Sequence, residues 1–413
     1  MSIVNNSSSG IAKLSLGTIF FTVFLDLVGV GIVLPVTVPL LLNPQSALLP
    51  VHFSEAVRTI ILGFLIASYP IASFFGGPIL GSLSDKYGRR RLLLLSLAGT
   101  CLGYLVFALG IYVGSIYLLF LSRIIDGFTG GNISIVQSSI ADISDDASKA
   151  KNFGLIGMAF GVGFIIGPFL GGKLSDPNLS PWFNYDTPFL FAALLSLVNI
   201  ALVVRNFSET LPAPVNRPIN AFTGIKNLHQ AFTDPRIGIL FAAVFFYNLG
   251  FSFFTQFFQV FLVKRFSFNQ SGIGDYFAYI GLCIALVQGL VVRRLAVKYR
   301  PQQILRYSLP GLAVALFCVM LPQQAWQLYL ISPFIALFQG SSAPNTTSLV
   351  SQNALEGQQG KMLGINQSVL AMGLAIPPIV AGFIDTIDVR LPLIAASGSV
   401  LLGYVLMMRF LKK

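Results

Sequence analysis

The chain has 413 residues, 55% of them hydrophobic and 10% charged, with a mean hydropathy of +0.79. Soluble domains carry about a quarter charged residues, so an ordinary soluble globular protein is excluded. The net charge is +11, from 26 basic and 15 acidic residues, yet no stretch is polar enough to form the solvated basic domain that nucleic-acid binding needs, which excludes DNA and RNA as partners.

A spanning helix needs about 20 mostly apolar residues. Twelve windows qualify: 14–42, 57–80, 92–113, 115–141, 153–172, 187–205, 236–263, 273–292, 303–322, 325–350, 362–384 and 391–411. The first ten residues lack a basic n-region and the segment after them is too long for a signal peptide, so no cleavage is expected. The longest polar interval, 206–235, with Arg217 and Lys226, reads as a linker between an N-terminal six-helix bundle (1–205) and a C-terminal one (236–413). A short amphipathic helix is expected within it, around 219–232. The predicted fold is an all-α polytopic membrane protein of two pseudo-symmetric six-helix bundles.

Orientation follows the loop Lys/Arg count. With the N-terminus inside, 20 basic residues fall in cytoplasmic loops and 5 outside (Arg58, Lys173, Lys264, Arg265 and Arg390). Both termini are therefore expected in the cytoplasm, with the chain in the cell (inner) membrane and Trp182 and Trp326 in the outer aromatic belt.

Ionisable groups at membrane depth are costly and point to function. In chain order they are Asp26 in the first span and Arg123 and Asp126 in the fourth. At about 100° per residue, Asp26 shares a face with Thr22, Gly29, Val33 and Thr37, and Arg123 with Asp126, Gly130, Ser134 and Gln137. The seventh span has a polar stripe, Asn248, Ser252, Thr255 and Gln259, set among Phe245, Phe246, Phe251, Phe254, Phe257 and Phe258; the tenth offers Gln339, Ser342 and Thr346. Together these faces predict an aromatic-walled cavity with few polar anchors, suited to an amphipathic organic molecule. Gln288, Asn366 and Gln367 either face that cavity or tie helices together. The acidic run Asp142, Asp145 and Asp146 reads as a solvated loop pairing with Lys149 or Lys151. Cys101, Cys283 and Cys318 read as small buried hydrophobes.

The halves also look like degenerate copies. A shift of 212 lays 81–97 on 293–309, matching Leu83 with Leu295, Lys86-Tyr87 with Lys298-Tyr299 and Ser96-Leu97 with Ser308-Leu309; a shift of 210 matches Gly154, Pro168 and Gly172 with Gly364, Pro378 and Gly382. Such a repeat places a substrate site between halves near the midplane, with alternating access by rocking.

Between the second and third spans the chain reads Gly81-Ser-Leu-Ser-Asp85-Lys-Tyr-Gly88-Arg89-Arg90-Arg91. This resembles the G-x-L-x-D-r-x-G-r-r signature of the major facilitator superfamily, where the loop acts as a latch stabilising the outward-open form through contacts with the eleventh helix. In the fifth span, Gly157 to Gly172 includes Gly163, Gly167, Pro168, Gly171 and Gly172 and resembles the glycine-proline motif of proton-coupled antiporters. With Phe24-Leu-Asp26, Arg123-Ile-Ile-Asp126-Gly127, Ile140-Ala-Asp142 and Glu209-Thr-Leu, residues 20–210 resemble the tetracycline-exporter branch of the drug:proton antiporters. Asp126 departs from that pattern, standing where relatives have a neutral residue. So does Cys283, which replaces a membrane histidine; His52 and His229 lie in loops, which argues against tetracycline as the substrate.

The expected function is proton-coupled export of a small organic molecule by a monomer in the bilayer, with an uptake symporter or uniporter of the same fold as the alternative. Asp26 is the expected proton carrier, switched by its distance from Arg123. In the competing arrangement Arg123 and Asp126, three apart on one helix, form a fixed ion pair and Asp26 only packs helices. A receptor or scaffold would need neither buried charges nor latch. No nucleotide-binding loop, metal cluster or nucleophile with a base is present in the sequence, so no enzyme activity, cofactor or metal is expected.

Overall fold

The computed structural model describes residues 3–144, 146–211, 222–353 and 359–412. Every regular element among them is helical, as long apolar windows require: in a bilayer core only a helix or a closed barrel satisfies its own backbone. In chain order the helices are α1 (Ile3–Leu42), α2 (Glu55–Tyr87), α3 (Arg89–Val113), α4 (Ile116–Thr129), α5 (Ile133–Ile143), α6 (Asp146–Leu174), α7 (Thr187–Asn206), α8 (Thr223–Thr233), α9 (Gly238–Phe266), α10 (Gln270–Leu286), α11 (Arg293–Lys298), α12 (Pro301–Cys318), α13 (Ala325–Gln352), α14 (Gln359–Ile384) and α15 (Leu391–Leu411). Each predicted span falls on helix. The fourth is divided between α4 and α5 by a tight turn at Gly130–Asn132, and the eighth passes from α10 through a π-helical stretch, Val287–Val292, into α11. The linker helix is α8; Arg217 and positions 219–221 lie outside the described residues.

The basic segment between the second and third spans is not a loop. α2 continues through Tyr87 and α3 begins at Arg89, leaving Gly88 alone at the corner with φ +98°, a conformation that favours glycine. The repeat persists in the folded chain: Pro168 lies inside α6 and its match Pro378 inside α14. Two pseudo-symmetric helical sets result.

Contacts group the chain into two units, Met1–Val36 with Ala72–Ala221, and Thr37–Ile71 with Phe222–Lys413. The end of α1, the loop after it and the first half of α2 thus belong with the second unit. The first unit is cored by Ile19 and Val23 of α1, Leu93 and Leu97 of α3, Ile135, Val136 and Ile140 of α5, and Val203 of α7. The second has an aromatic core: Phe254 stacks on Phe258 at 4.8 Å, and Phe258 meets Phe261 at 5.7 Å and Tyr276 of α10 at 5.5 Å. Phe254, Phe257 and Phe258, expected as cavity walls, are therefore buried core residues; Phe245, Phe246 and Phe251 are half-buried. Trp182 and Trp326 are exposed.

Candidate functional site

Asp26 is held by amides. Asn132 Nδ2 donates to its Oδ2 at 2.5 Å and Asn199 Nδ2 to its Oδ1 at 3.3 Å. Asn199 of α7 is fully buried, and its Oδ1 accepts from the Thr22 hydroxyl at 2.9 Å. One carboxylate thus ties α1, the turn between α4 and α5, and α7. The turn is positioned by close backbone approach: a Cβ on Gly131 would lie 2.5 Å from the Gly77 nitrogen, and Ser134 Oγ donates to the Gly77 carbonyl at 3.0 Å. Ser134 therefore binds α2, while Gln137 is half-buried.

Arg123 pairs with Asp126 at 3.2 Å, both side chains at most 5% exposed. The pair belongs to the α3–α4 contact. The Arg123 guanidinium lies 4.9 Å from the Phe107 ring centre, Phe107 stacks on Phe189 at 4.0 Å, Ser122 Oγ donates to the Gly103 carbonyl at 2.7 Å, and a Cβ on Gly103 would come within 2.9 Å of the Asp126 Cβ. Arg123 and Asp126 thus pair along one helix, and both oxygens of Asp26 are engaged by asparagines. Sequence reading passed over Asn132 and Asn199; the available signal was a lone carboxamide inside an apolar window, where an unpaired polar group is costly.

The glycine face of α6 supports α1 directly beyond Asp26. A Cβ on Gly163 would meet Leu27 at 2.7 Å, one on Gly167 would meet Gly31 Cα and the Val28 carbonyl at 2.8 Å each, and one on Gly171 would strike Ile32; Gly31 in turn faces Pro168 at 2.9 Å. Gly172 is buried, and its carbonyl accepts from Ser175 at 3.1 Å. Small residues at this spacing bring two helices into backbone contact.

At the α2–α3 corner Arg89 is buried and binds Asp85 at 2.5 Å, Asp142 at 3.0 Å and Ser84 Oγ at 2.6 Å. Glu209, after α7, accepts from the backbone nitrogens of Arg89 at 2.8 Å and Arg90 at 3.1 Å; an anion at a helix N-terminus is favoured by the helix dipole. Arg90 Nη2 donates to the Val204 carbonyl at 2.5 Å. Gly81 packs on Ser134. Asp142 is thus the partner of Arg89 and not part of a solvated loop; Asp145 and the side chains of Asp146, Lys149 and Lys151 lie outside the described residues.

In the second unit the polar residues expected in a cavity mostly bond within and between helices. Asn248 donates to the Val244 carbonyl at 2.8 Å, Thr255 to the Phe251 carbonyl at 3.2 Å and Gln259 to the Gln256 carbonyl at 3.2 Å, while Ser252 accepts from Gln256 at 2.6 Å. Gln339 accepts from the Tyr247 hydroxyl at 2.9 Å, Ser342 donates to Ser308 of α12 at 2.8 Å, and Thr346 to the Ser342 carbonyl at 2.8 Å. Ser342, Thr346 and Thr37 are buried; Asn248 and Thr255 remain half-buried. Among the described residues no group of three His, Cys, Asp or Glu forms a metal site.

The profile of the Major Facilitator Superfamily matches residues 19–354. The chain belongs to this superfamily, a class of secondary transporters that move small molecules by alternating access. It is 30% identical over 372 residues to the tetracycline resistance protein, class H, of Pasteurella multocida, covering 88% of this chain and 87% of that protein. It is 25% identical over 396 residues to multidrug resistance protein 2 of Bacillus subtilis, covering 95% and 94%. The fold is shared with the human organic anion transporter MFSD10 (TETRAN), with a TM-score of 0.73, 23% identity and coverage of 96% of this chain and 99% of that one.

Proposed function

We propose that this protein is a proton-coupled antiporter that exports an amphipathic small organic molecule, with Asp26 as the proton carrier. The observation that carries the reading is the neutral cradle of Asp26. A carboxylate held by two carboxamides can accept a proton without breaking an ion pair, because a carboxamide rotates to present its carbonyl to the new O–H. The α6 glycine face fits this reading, since it fixes the α1 backbone one turn from the carboxylate. The relatives named for tetracycline and multidrug resistance support export, and Cys283 in place of a membrane histidine favours a substrate other than tetracycline. The basic-loop face is cytoplasmic in this reading, with both termini on the cytoplasmic side of the inner membrane. The protein acts as a monomer, without cofactor and without enzymatic chemistry.

The test is reconstitution in vesicles with an imposed pH gradient, recording proton flux against a panel including tetracycline and ethidium. Asp26→Asn is expected to cut substrate-dependent proton flux at least about tenfold, the scale of losing one charge-assisted interaction, while downhill equilibration of the substrate persists. Undiminished flux removes Asp26 from the coupling. Compounds that equilibrate without moving protons in the unaltered protein turn the reading to a uniporter.

A further inference from the structure

The ends of α2, α9 and α14 that lie away from the basic loops carry a second charged cluster. Lys264, in the last turn of α9 and 16% exposed, places its ammonium 2.5 Å from Asp385 Oδ2, 2.9 Å from Glu55 Oε1 and 3.1 Å from Thr59 Oγ1. Asp385 follows α14 directly, is 1% exposed, and its other oxygen is buried without a hydrogen-bond partner. Below the cluster α2 and α14 touch through backbone: a Cβ on Gly63 would strike the Pro378 carbonyl, one on Gly382 would lie 3.2 Å from the Thr59 carbonyl, and Phe64 meets Phe383 edge-on at 6.0 Å. α2 is one continuous helix, yet residues up to Ile71 group with the second unit and those from Ala72 with the first. The contacts of Lys264 with Glu55 and Thr59 are among those that join this half of α2 to α9 and α14.

We propose that Lys264, with Asp385, Glu55 and Thr59, forms a releasable ionic clasp that closes this end of the transporter and breaks once in each transport cycle. The inference rests on alternating access. A buried ion pair adds little net stability over apolar packing, but removing one partner is strongly unfavourable. Such a pair suits a contact that is made and unmade as a unit. The charged groups acting on Asp385 are Lys264 of α9, Glu55 of α2 and Asp388 in the loop that follows. Burial pushes the Asp385 carboxyl up from its ordinary range, and Lys264 pulls it back. A raised carboxyl pKa in the closed form means closure binds a proton; closure without the lysine is favoured at low pH and lost as pH rises.

The test reads accessibility and does not depend on any transported compound, so it fails separately from the antiport reading. Ala381 is fully buried one turn before Asp385, and Ala381→Cys in the full chain in detergent supplies the reporter thiol. Labelling of that thiol by a membrane-impermeant maleimide is timed between pH 6 and pH 8, with the chain that retains Ala381 as blank. With Lys264→Met the rate at pH 8 is expected to rise about tenfold over the Lys264 parent and to fall again at pH 6, while Lys264→Arg stays near the parent, as loss of one partner of a buried pair requires. A Lys264→Met rate at the parent level at pH 8 overturns the clasp, and so does an equal, pH-independent rise in both variants. A second arm guards against misfolding: Phe64→Cys with Phe383→Cys, in a reporter chain with Lys264 intact, should cross-link on oxidation and keep the reporter thiol unlabelled at every pH. Labelling undiminished by the cross-link also overturns the proposal.

Discussion

At the scale of single residues, burial has sorted the charges differently from their positions along the chain. Arg58 counts as an exterior loop charge in the sequence, yet it is 1% exposed. Its guanidinium donates to the carbonyls of Leu41, Asn43, Pro44, Leu49, Pro50 and Phe53 at 3.0–3.4 Å. The loop from α1 to α2 is therefore wrapped on one side chain. Arg58→Met keeps the stem and strips the donors from six carbonyls; it should lower stability by about 3 kcal/mol, read as a fall in unfolding temperature in detergent. Arg58→Lys should recover only part, since an ammonium has three donors where the guanidinium fork has five. The same logic separates what was legible from what was not. Asp26, Arg123 and Asp126 announce themselves because a charge in an apolar window is expensive. Asn132 and Asn199 are neutral and cheaper to bury, so nothing but their packing distinguishes them from helix ties.

At the scale of elements, hydropathy carries most of the information, because a bilayer leaves a long apolar segment little choice except helix. Breaks inside helices are harder to read. Gly130-Gly131 gives the fourth span a visible weak point, whereas the π-helical stretch at Val287–Val292 has only Gly289 to mark it. The α2–α3 corner shows what a motif contributes beyond its charge. A Cβ on Gly88 would lie 2.5 Å from Glu209 Oε2 and would have to adopt φ +98°. Gly88→Ala therefore combines backbone strain with displacement of the Glu209 carboxylate from the start of α3, and should cost about 2 kcal/mol or more. Glu209→Gln retains one acceptor and loses the charge, with an expected cost of about 1 kcal/mol. Thermal unfolding of the two variants side by side checks the order, and a larger loss for Glu209→Gln would contradict it.

For the whole molecule, the repeat has preserved packing and divided the chemistry. Pro168 and Gly172 in α6 match Pro378 and Gly382 in α14, and both helices use their small residues for backbone contact: α6 with α1 through Gly167 and Gly171, α14 with α2 through Pro378 and Gly382. The charged corner has not been kept twice. In the first copy Lys86-Tyr87 leads into Gly88 and the buried Arg89, which holds two aspartates; in the second, Lys298-Tyr299 leads into Arg300 and Pro301, and the start of α12 is closed by Gln303 Oε1 accepting from the Arg300 nitrogen at 2.9 Å. Equivalent positions therefore carry unequal energetic weight. Arg89→Met leaves Asp85 and Asp142 facing each other without their shared cation and should cost about 3 kcal/mol. Lys298→Gln removes an exposed charge and should change stability by no more than about 0.5 kcal/mol. Unfolding of both variants in detergent, with transport recorded alongside, decides whether the stabilising charged corner is a property of one copy: equal losses would mean that the two corners still act as a symmetric pair.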